Sequence, residues 1–401
     1  MSWLAKYLQE NGAEVTGSDA NIGGHDVQNL PKGKCIVVIN GAISDDNPEY
    51  IEAKKRALKI VDRAEILAQV SKEYKNVIAI AGTSGKSSTT ALVGAIFREA
   101  GLCPTIHNGA FCVDSDSQTL IVSKGKEFFI TEACEFRKSF LTLEPTASII
   151  TNISFDHIDS YVDLNDLKNT FQKFTKKAMI AIVNTDCTNS RDLLGNQTVA
   201  FGLHEIDTLT EYEGGKYEFS IDGVSIRLGV YGLHQVHNAL AAIAVARHFD
   251  IDINVIKRAL EGYRGIQRRF EVISDGEGTP TVITDYAHHP AEIATTVRTA
   301  KSLFGKYLIV FQPHTYTRTH ALFNDFVSVF SGVDAVFYKT YSAREKPIKG
   351  GEASDLAKVL SKPYFDTADE LLNHINKVSS NYDAIIYTGA GDIDALARKM
   401  R

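Results

Sequence analysis

One stretch limits the folds open to this chain more than any other. A short apolar run at residues 77–81 passes through Gly82-Thr83-Ser84-Gly85-Lys86-Ser87-Ser88 into residues 89–100. There Leu92, Val93, Ile96 and Phe97 share one helical face, and Gly101 closes the segment. Strand, small-residue loop and helix in that order form a phosphate cradle. Glycines let backbone N–H groups turn inward on phosphate oxygens, and the helix N-terminus adds partial positive charge at the same place. Lys86 can reach the terminal phosphates of a nucleotide, and the Ser87 hydroxyl can ligate Mg²⁺. The general loop pattern has a further glycine where Ile80 stands, so this is a shortened variant. A plain Gly/Ser turn into a capped helix shares some of these letters. Strand, loop, Lys-Ser pair and amphipathic helix together favour the cradle.

The rest of the chain keeps the α/β alternation. Strands are predicted at residues 14–17 and 35–40, at Ile60-Val61, and at 128–130, 147–151 and 179–184. A third section from about Gln267 adds strands at 282–284, 307–312, 335–338 and 384–388, with helices between them. Helices are also expected at 49–58 and 236–248. Such alternation implies parallel sheets covered on both faces. The chain opens on a helix, with Trp3, Leu4, Tyr7 and Leu8 at helical spacing and Asn11-Gly12 as its stop. An open α/β domain ordinarily opens on a strand instead.

The 401 residues are enough for two to four domains. With 44% hydrophobic and 23% charged residues the chain is globular and not disordered. A net charge of −6 argues against nucleic acid or an anionic membrane as the main partner. Five cysteines without CxxC spacing argue against a disulfide framework or zinc ribbon and fit a reducing cytoplasm. There is no signal-peptide pattern, and no apolar run nears the ~20 residues of a membrane helix.

Polar clusters follow the predicted strand ends, where ligands bind in parallel sheets. Glu132, within Thr131-Glu132-Ala133-Cys134-Glu135, is placed either to hold a metal against a triphosphate or as a solvated loop acid. Asn152, Asp156, His157 and Asp159 follow the next strand. His157 is a candidate Mg²⁺ ligand, although hard cations prefer oxygen, and either aspartate also suits a helix N-cap. In the third section, Asp285-Tyr286-Ala287-His288-His289-Pro290 and Pro313-His314-Thr315-Tyr316-Thr317-Arg318-Thr319 end neighbouring strands and would line one crevice. Arg268-Arg269 precedes them and can reach phosphates. His288 and His289 point to opposite faces of an extended chain, which argues against a zinc pair. No G-x-S-x-G elbow or G-x-G-x-x-G motif is present, which counts against a nucleophilic triad and a dinucleotide oxidoreductase.

Taken in order, these segments resemble the Mur ligase family, the ATP-dependent amide-forming enzymes of peptidoglycan synthesis. The resemblance runs along essentially the whole chain. It is carried by Gly17-Ser18-Asp19, Ala42-Ile43 with Asn47-Pro48-Glu49, Arg63-Ala64-Glu65, the loop 82–88 and Glu132–Glu135. It continues through Asn152 with Asp156-His157, Gly232-Leu233-His234 with Asn238-Ala239, Arg268-Arg269-Phe270, the two clusters of the third section, and Gly389-Ala390-Gly391-Asp392-Ile393. The last three are most like the alanine-adding branch.

The resemblance implies a three-domain α/β architecture. Its parts are an incomplete Rossmann-like UDP-sugar domain (1–75), a central P-loop ATPase domain (76–266) and a Rossmann-like domain for the amino acid (267–401). It implies ligation of L-alanine to the carboxylate of UDP-N-acetylmuramate through an acyl phosphate, with ATP and Mg²⁺, by a cytoplasmic monomer or weak homodimer. It assigns Lys86 and Ser87 to phosphate and the first Mg²⁺, Glu132 to that ion, and His157 to a second. His234 and Asn238 resemble adenine-holding positions, and Arg269 and Asp285 resemble phosphate and ribose contacts. His288, His314 and Arg318 resemble the wall of the amino-acid and muramoyl pocket. The catalytic set is therefore expected to be Lys86, Glu132, His157, His288 and Arg318.

Departures from the family also shape the expectations. Met1 aligns with the end of a G-x-G-G-x-G-M loop, so a first strand and its glycines are missing. Either the start is miscalled or the domain has decayed, and residues 1–75 are expected to be less stable than the rest. Ser84 stands for a usual His, Ser87 for Thr, Gln235 for Asn and Thr315 for a frequent Arg. Two other activities fit the same motifs: ligation of a preformed murein peptide to the same sugar, and non-catalytic nucleotide binding.

Overall fold

A computed structural model describes residues 1–400 apart from 20–22, 42, 114–119, 122, 124, 156–159, 276–277 and 344. Helix α1 (Ser2–Glu10) ends at Asn11, whose side chain donates to the Tyr7 carbonyl (2.8 Å), and Gly12 takes a left-handed φ of 88°. Its buried face carries Trp3, Leu4 and Tyr7. Trp3 Nε1 donates to the Ile106 carbonyl (2.9 Å), and its ring packs on His107 and Phe129.

Strand β1 (Ile36–Ile39), helix α2 (Pro48–Lys55), strand β2 (Lys59–Asp62) and helix α3 (Arg63–Ser71) follow. Asn47 and Asp62 cap the two helices by accepting from N–H groups of the first turns. β1 and β2 pair in parallel. Residues 14–17, predicted as a strand, belong to no ladder; near them only the isolated bridge between Asp19 and Gly23 is seen among the described residues. The Val15 carbonyl accepts from the Gln9 side chain (3.2 Å), not from a neighbouring strand, so sequence alternation alone does not make these residues a strand.

The central sheet has seven strands: β3 (Asn76–Ala81), β4 (Thr105–His107), β5 (Leu120–Ile121), β6 (Phe128–Glu132), β7 (Ala147–Ile150), β8 (Ile180–Asn184) and β9 (Thr198–Phe201). Their order is β5-β4-β6-β3-β7-β8-β9, and all pairs are parallel except β4 with β5. β3 is central and Ile78 to Ala81 are fully buried, as continuous apolar runs in two-sided sheets must be. Helix α4 (Lys86–Glu99) follows the loop after β3, and helix α5 (Leu164–Thr175) follows β7. The predicted start of α4 at residue 89 is corrected to Lys86. Gly85 is the N-cap, so Lys86, Ser87 and Ser88 form the first helical turn.

A meander absent from the sequence reading comes next: β10 (Thr208–Tyr212), β11 (Lys216–Ile221) and β12 (Val224–Tyr231), all antiparallel. Its signal was present. Asp222-Gly223 has both residues at positive φ, as a tight hairpin requires, and Phe219, Ile221, Ile226 and Leu228 alternate inward. Helices α6 (Leu233–His248) and α7 (Ile253–Gly262) follow.

The last sheet has six strands: β13 (Glu271–Ser274), β14 (Thr281–Asp285), β15 (Tyr307–Phe311), β16 (Ala335–Tyr338), β17 (Tyr364–Phe365) and β18 (Ala384–Thr388). Their order is β13-β14-β18-β15-β16-β17, parallel apart from β13. Ile283, Ile309 and Ile386 lie in one apolar cluster and Val282, Leu308 and Ile385 in another, so successive residues feed cores on opposite faces. Helix α8 (Pro290–Leu303) follows β14 and the short helix α9 (Tyr316–Ala321) follows β15.

By compactness the chain forms two units. One holds residues 1–111, 115–205 and 237–260, and the other holds 112–114, 206–236 and 261–401. Among the described residues no helix is long and apolar enough to cross a membrane.

Candidate functional site

In the first unit β3 lies between β6 and β7, so three chain segments meet at their carboxyl ends. After β3 come Gly82 to Gly85, β6 ends on Glu132, and β7 is followed by Thr151 and Asn152. The loop closes on these neighbours. Ser84 N–H donates to Asn152 Oδ1 (3.0 Å), and the Ser84 carbonyl accepts from Thr151 Oγ1 (2.6 Å) and Asn152 Nδ2 (2.9 Å). Thr83 Oγ1 donates to the Ser154 carbonyl (2.9 Å). At Gly82, φ is 142° and a Cβ would sit 2.0 Å from Thr151 Oγ1; at Gly85, φ is 85° and a Cβ would meet Asn238 Oδ1 at 2.7 Å. Glycine is required at both places by conformation and by space.

Lys86 folds back over this loop. Its Nζ donates to the Gly82 carbonyl (2.5 Å), the Thr83 carbonyl (3.2 Å) and both carboxylate oxygens of Glu135 (3.2 and 3.1 Å). Burial opposes the ammonium charge, but Glu135 beside it holds the lysine above its ordinary value. Glu135 is 1% exposed and its carbonyl accepts from Tyr161 Oη (2.5 Å). Sequence reading gave Glu135 no role. Its signal was a second acid three residues past the strand-end Glu132. Burial pushes the neighbouring Cys134 thiol up, which disfavours a thiolate nucleophile there.

Glu132 Oε1 accepts from the Gly109 N–H (2.5 Å), and Asn108 Nδ2 donates to the Ser87 carbonyl (3.0 Å). One turn at residues 108–109 therefore ties the acid to the first turn of α4. Asn238, on α6, accepts from Thr89 Oγ1 (3.2 Å) and packs beside Gly85. His234 packs against Gly232 at the start of the same helix. Asp156, His157, Asp159 and Ala42 lie outside the described residues.

The second unit gathers its polar groups after β14, β15 and β18. Asp285 Oδ1 accepts from the Ala287 N–H (2.9 Å) and Oδ2 from Thr296 Oγ1 (3.1 Å). Burial raises its carboxyl, with Arg269 opposing. Arg268 Nη2 donates to the carbonyls of Gly389 (2.9 Å) and Gly391 (3.1 Å), and Arg268 and Arg269 both lie over the Tyr286 ring. His289 caps α8 while His288 turns the other way, its ring 5.7 Å from that of His314. Arg318 Nη1 donates to the His314 carbonyl (2.8 Å). His314 also stacks on Tyr341, and burial, His288 and Arg318 push it down to about 4. The structure thus brings His288, His314 and Arg318 together.

Sequence reading also gave Glu292 no role. It lies within 3.9 Å of Arg269 and 3.5 Å of His288. Burial would raise it, but His288, Arg269 and the His288 N–H hold it down at about 2. The His289-x-x-Glu292 spacing of a capping box was the available clue.

Known proteins are similar to this chain along nearly its whole length. Residues 1–75 match the Mur ligase family catalytic domain, 80–246 the Mur ligase middle domain, and 268–391 the Mur ligase glutamate ligase domain. The UDP-N-acetylmuramate–L-alanine ligase of Lachnospira eligens is 37% identical, over 98% of this chain and 94% of its own length. That of Aromatoleum aromaticum is 37% identical over 100% and 95%. The crystal structure of the UDP-N-acetylmuramate–alanine ligase of Thermotoga maritima superposes with a TM-score of 0.83 at 27% identity, covering 100% of this chain and 95% of that one. A murein peptide ligase of Psychrobacter arcticus shares the fold, with a TM-score of 0.68 at 20% identity over 93% and 86%. With three family segments matched in order and relatives this similar along nearly the whole length, the chain belongs to the Mur ligase family of ATP-dependent acid–amino-acid ligases and has its three-domain α/β fold.

Proposed function

We propose that this chain joins L-alanine to the carboxylate of UDP-N-acetylmuramate with cleavage of ATP, in the cytoplasm, as a monomer or weak dimer. The observation that carries the reading is Lys86, 16% exposed and paired with the buried Glu135 carboxylate over a glycine loop at the carboxyl end of the central strand. Likeness to alanine-adding relatives along 98% of the chain supports the choice of substrates.

The chemistry follows from charge. A carboxylate is a poor electrophile and its hydroxide a poor leaving group. Its oxygen attacks the terminal phosphorus of ATP, ADP leaves, and an acyl phosphate forms. The neutral amine of alanine then attacks the acyl carbon, phosphate leaves, and the amine proton passes to a base. In this reading the loop N–H groups of residues 82–86 and the Lys86 ammonium receive the phosphates. His234 and Asn238 hold the adenine, and Arg269 and Asp285 contact phosphate and ribose. His288, His314 and Arg318 line the amino-acid and muramoyl pocket, and residues 1–75 take the UDP-sugar, 76–266 the ATP and 267–401 the amino acid.

The residues present fit Mg²⁺. Ser87 and Glu132 are hard oxygen donors joined through the turn at 108–109, a partial set of the kind Mg²⁺ completes with water and nucleotide oxygens. When bound, the ion offsets negative charge on the phosphates. His157 is proposed as a ligand of a second ion.

Phosphate release on purified protein tests the whole reading. It is expected only when Mg²⁺, ATP, UDP-N-acetylmuramate and L-alanine are all present. Preference for L-Ala-γ-D-Glu-meso-diaminopimelate over L-alanine would move the assignment to peptide ligation. Intact ATP binding without release would leave a nucleotide-binding protein.

A further inference from the structure

We infer that Glu292 is a positioning residue that holds the imidazole of His288 and the guanidinium of Arg269 in one arrangement. The inference rests on the amino-acid and phosphate roles proposed above for those two side chains. Glu292 sits in the first turn of α8. Its Oε2 accepts from the N–H groups of His288 (3.2 Å) and His289 (3.4 Å) and lies 3.5 Å from His288 Nδ1. Its Oε1 faces Arg269 Nη1 at 3.9 Å. Side-chain exposure is 12% for Glu292 and 16% for His288, so water screens these contacts weakly.

The same geometry fixes the imidazole tautomer. His288 Nδ1 lies 2.9 Å from the Tyr286 carbonyl, which can only accept, so Nδ1 carries the proton. Nε2 is then the basic nitrogen, suited to take a proton from an alanine amine. The charged and titratable groups around His288 are Glu292 on α8, Arg269 before β13, His314 and Arg318 after β15, and the adjoining His289. Glu292 is the anion among them, and it opposes the burial that lowers His288. Without it, Arg269 and Arg318 face the imidazole alone. Sequence reading assigned His288 and Arg269 separately; the shared carboxylate makes them one unit.

The test uses the full chain with ¹⁵N-labelled histidine. Wild-type ring shifts should report Nδ1–H at His288; an Nε2–H tautomer overturns the inference. In Glu292→Gln the amide oxygen still accepts from the two N–H groups, so the helix cap survives while the charge is lost. The His288 midpoint is expected to fall by about one pH unit. Turnover per KM for L-alanine is expected to fall about tenfold or more and to recover partly in Glu292→Asp. An unmoved His288 midpoint with unchanged kinetics in a folded Glu292→Gln overturns the inference. So does lost thermal stability with an unmoved midpoint, because that describes a helix cap only. If Glu292→Gln does not fold, the wild-type tautomer decides. Absence of alanine-dependent turnover in the wild type would sink the functional reading alone, since the NMR arms do not depend on it.

Discussion

The loop after β3 and the cluster after β14 and β15 both lie at the carboxyl ends of parallel strands, yet they are built from different materials. The first is mostly backbone. Gly82 and Gly85 set the path, neighbouring side chains fix the Ser84 and Thr83 peptide groups, and one lysine supplies the charge. The second is mostly side chain, with Arg268, Arg269, Tyr286, His288, Glu292, His314 and Arg318 holding one another. A backbone cradle is suited to a ligand part common to many reactions, such as a phosphate chain. A side-chain cluster is suited to the part that differs between relatives, because single substitutions can reshape it.

The largest expected effect breaks the backbone site at its lysine. Lys86→Ala should lower turnover at least about a hundredfold, measured as phosphate release. It also leaves Glu135 buried without the lysine, at a cost of roughly 3 kcal/mol in urea unfolding. Lys86→Ala with Glu135→Gln should regain that stability and none of the activity. Recovered turnover in the double variant would remove Lys86 from the chemistry.

Next, Gly85→Ala forces a left-handed φ on alanine and crowds Asn238. A penalty of about 2 kcal/mol corresponds to roughly thirtyfold weaker ADP binding by calorimetry. Unaltered affinity would show that the backbone path matters less than the lysine.

In the side-chain site, Arg268→Ala removes two charge-assisted bonds to the carbonyls of Gly389 and Gly391. A loss of about 2 kcal/mol in urea unfolding is expected, and a change below about 0.5 kcal/mol would make that clamp dispensable.

The smallest effect concerns His107, which touches Thr131 beside Glu132 and packs on Trp3. Burial, with Arg63 and the N-terminal amine, lowers it from 6.5 to about 3. The unfolded chain therefore binds a proton below 6.5 that the folded chain refuses, so this contribution to stability is full above 6.5 and is lost as pH falls. At pH 5.5 the loss is about 1.4 kcal/mol relative to pH 7.5. His107→Gln should abolish that share of the pH dependence, and an equal acid loss in the variant would place its origin elsewhere, His314 among the candidates.

Legibility followed the same division. The strand–loop–helix at residues 77–100 was readable because its signals are local: apolar run, glycines, Lys-Ser and helical spacing. The strand predicted at 14–17 failed because a strand exists only with a neighbour, which no local pattern supplies. The meander at 208–231 was missed although Asp222-Gly223 announced a hairpin. Glu135 and Glu292 look like ordinary surface acids in the sequence. Their partners are Lys86, 49 positions away, and Arg269, which approaches only once β13 and β14 pair.

The sequence by itself determined the α/β alternation, the glycine loop between β3 and α4 and the family, since each rests on residues close in the chain or on motifs in fixed order. Tertiary structure alone decided which carboxylate meets which cation. Glu135 rather than Glu132 holds Lys86, and Glu292 joins His288 to Arg269, because sheet order and burial determine which distant side chains come within reach and lose the water that would otherwise screen them.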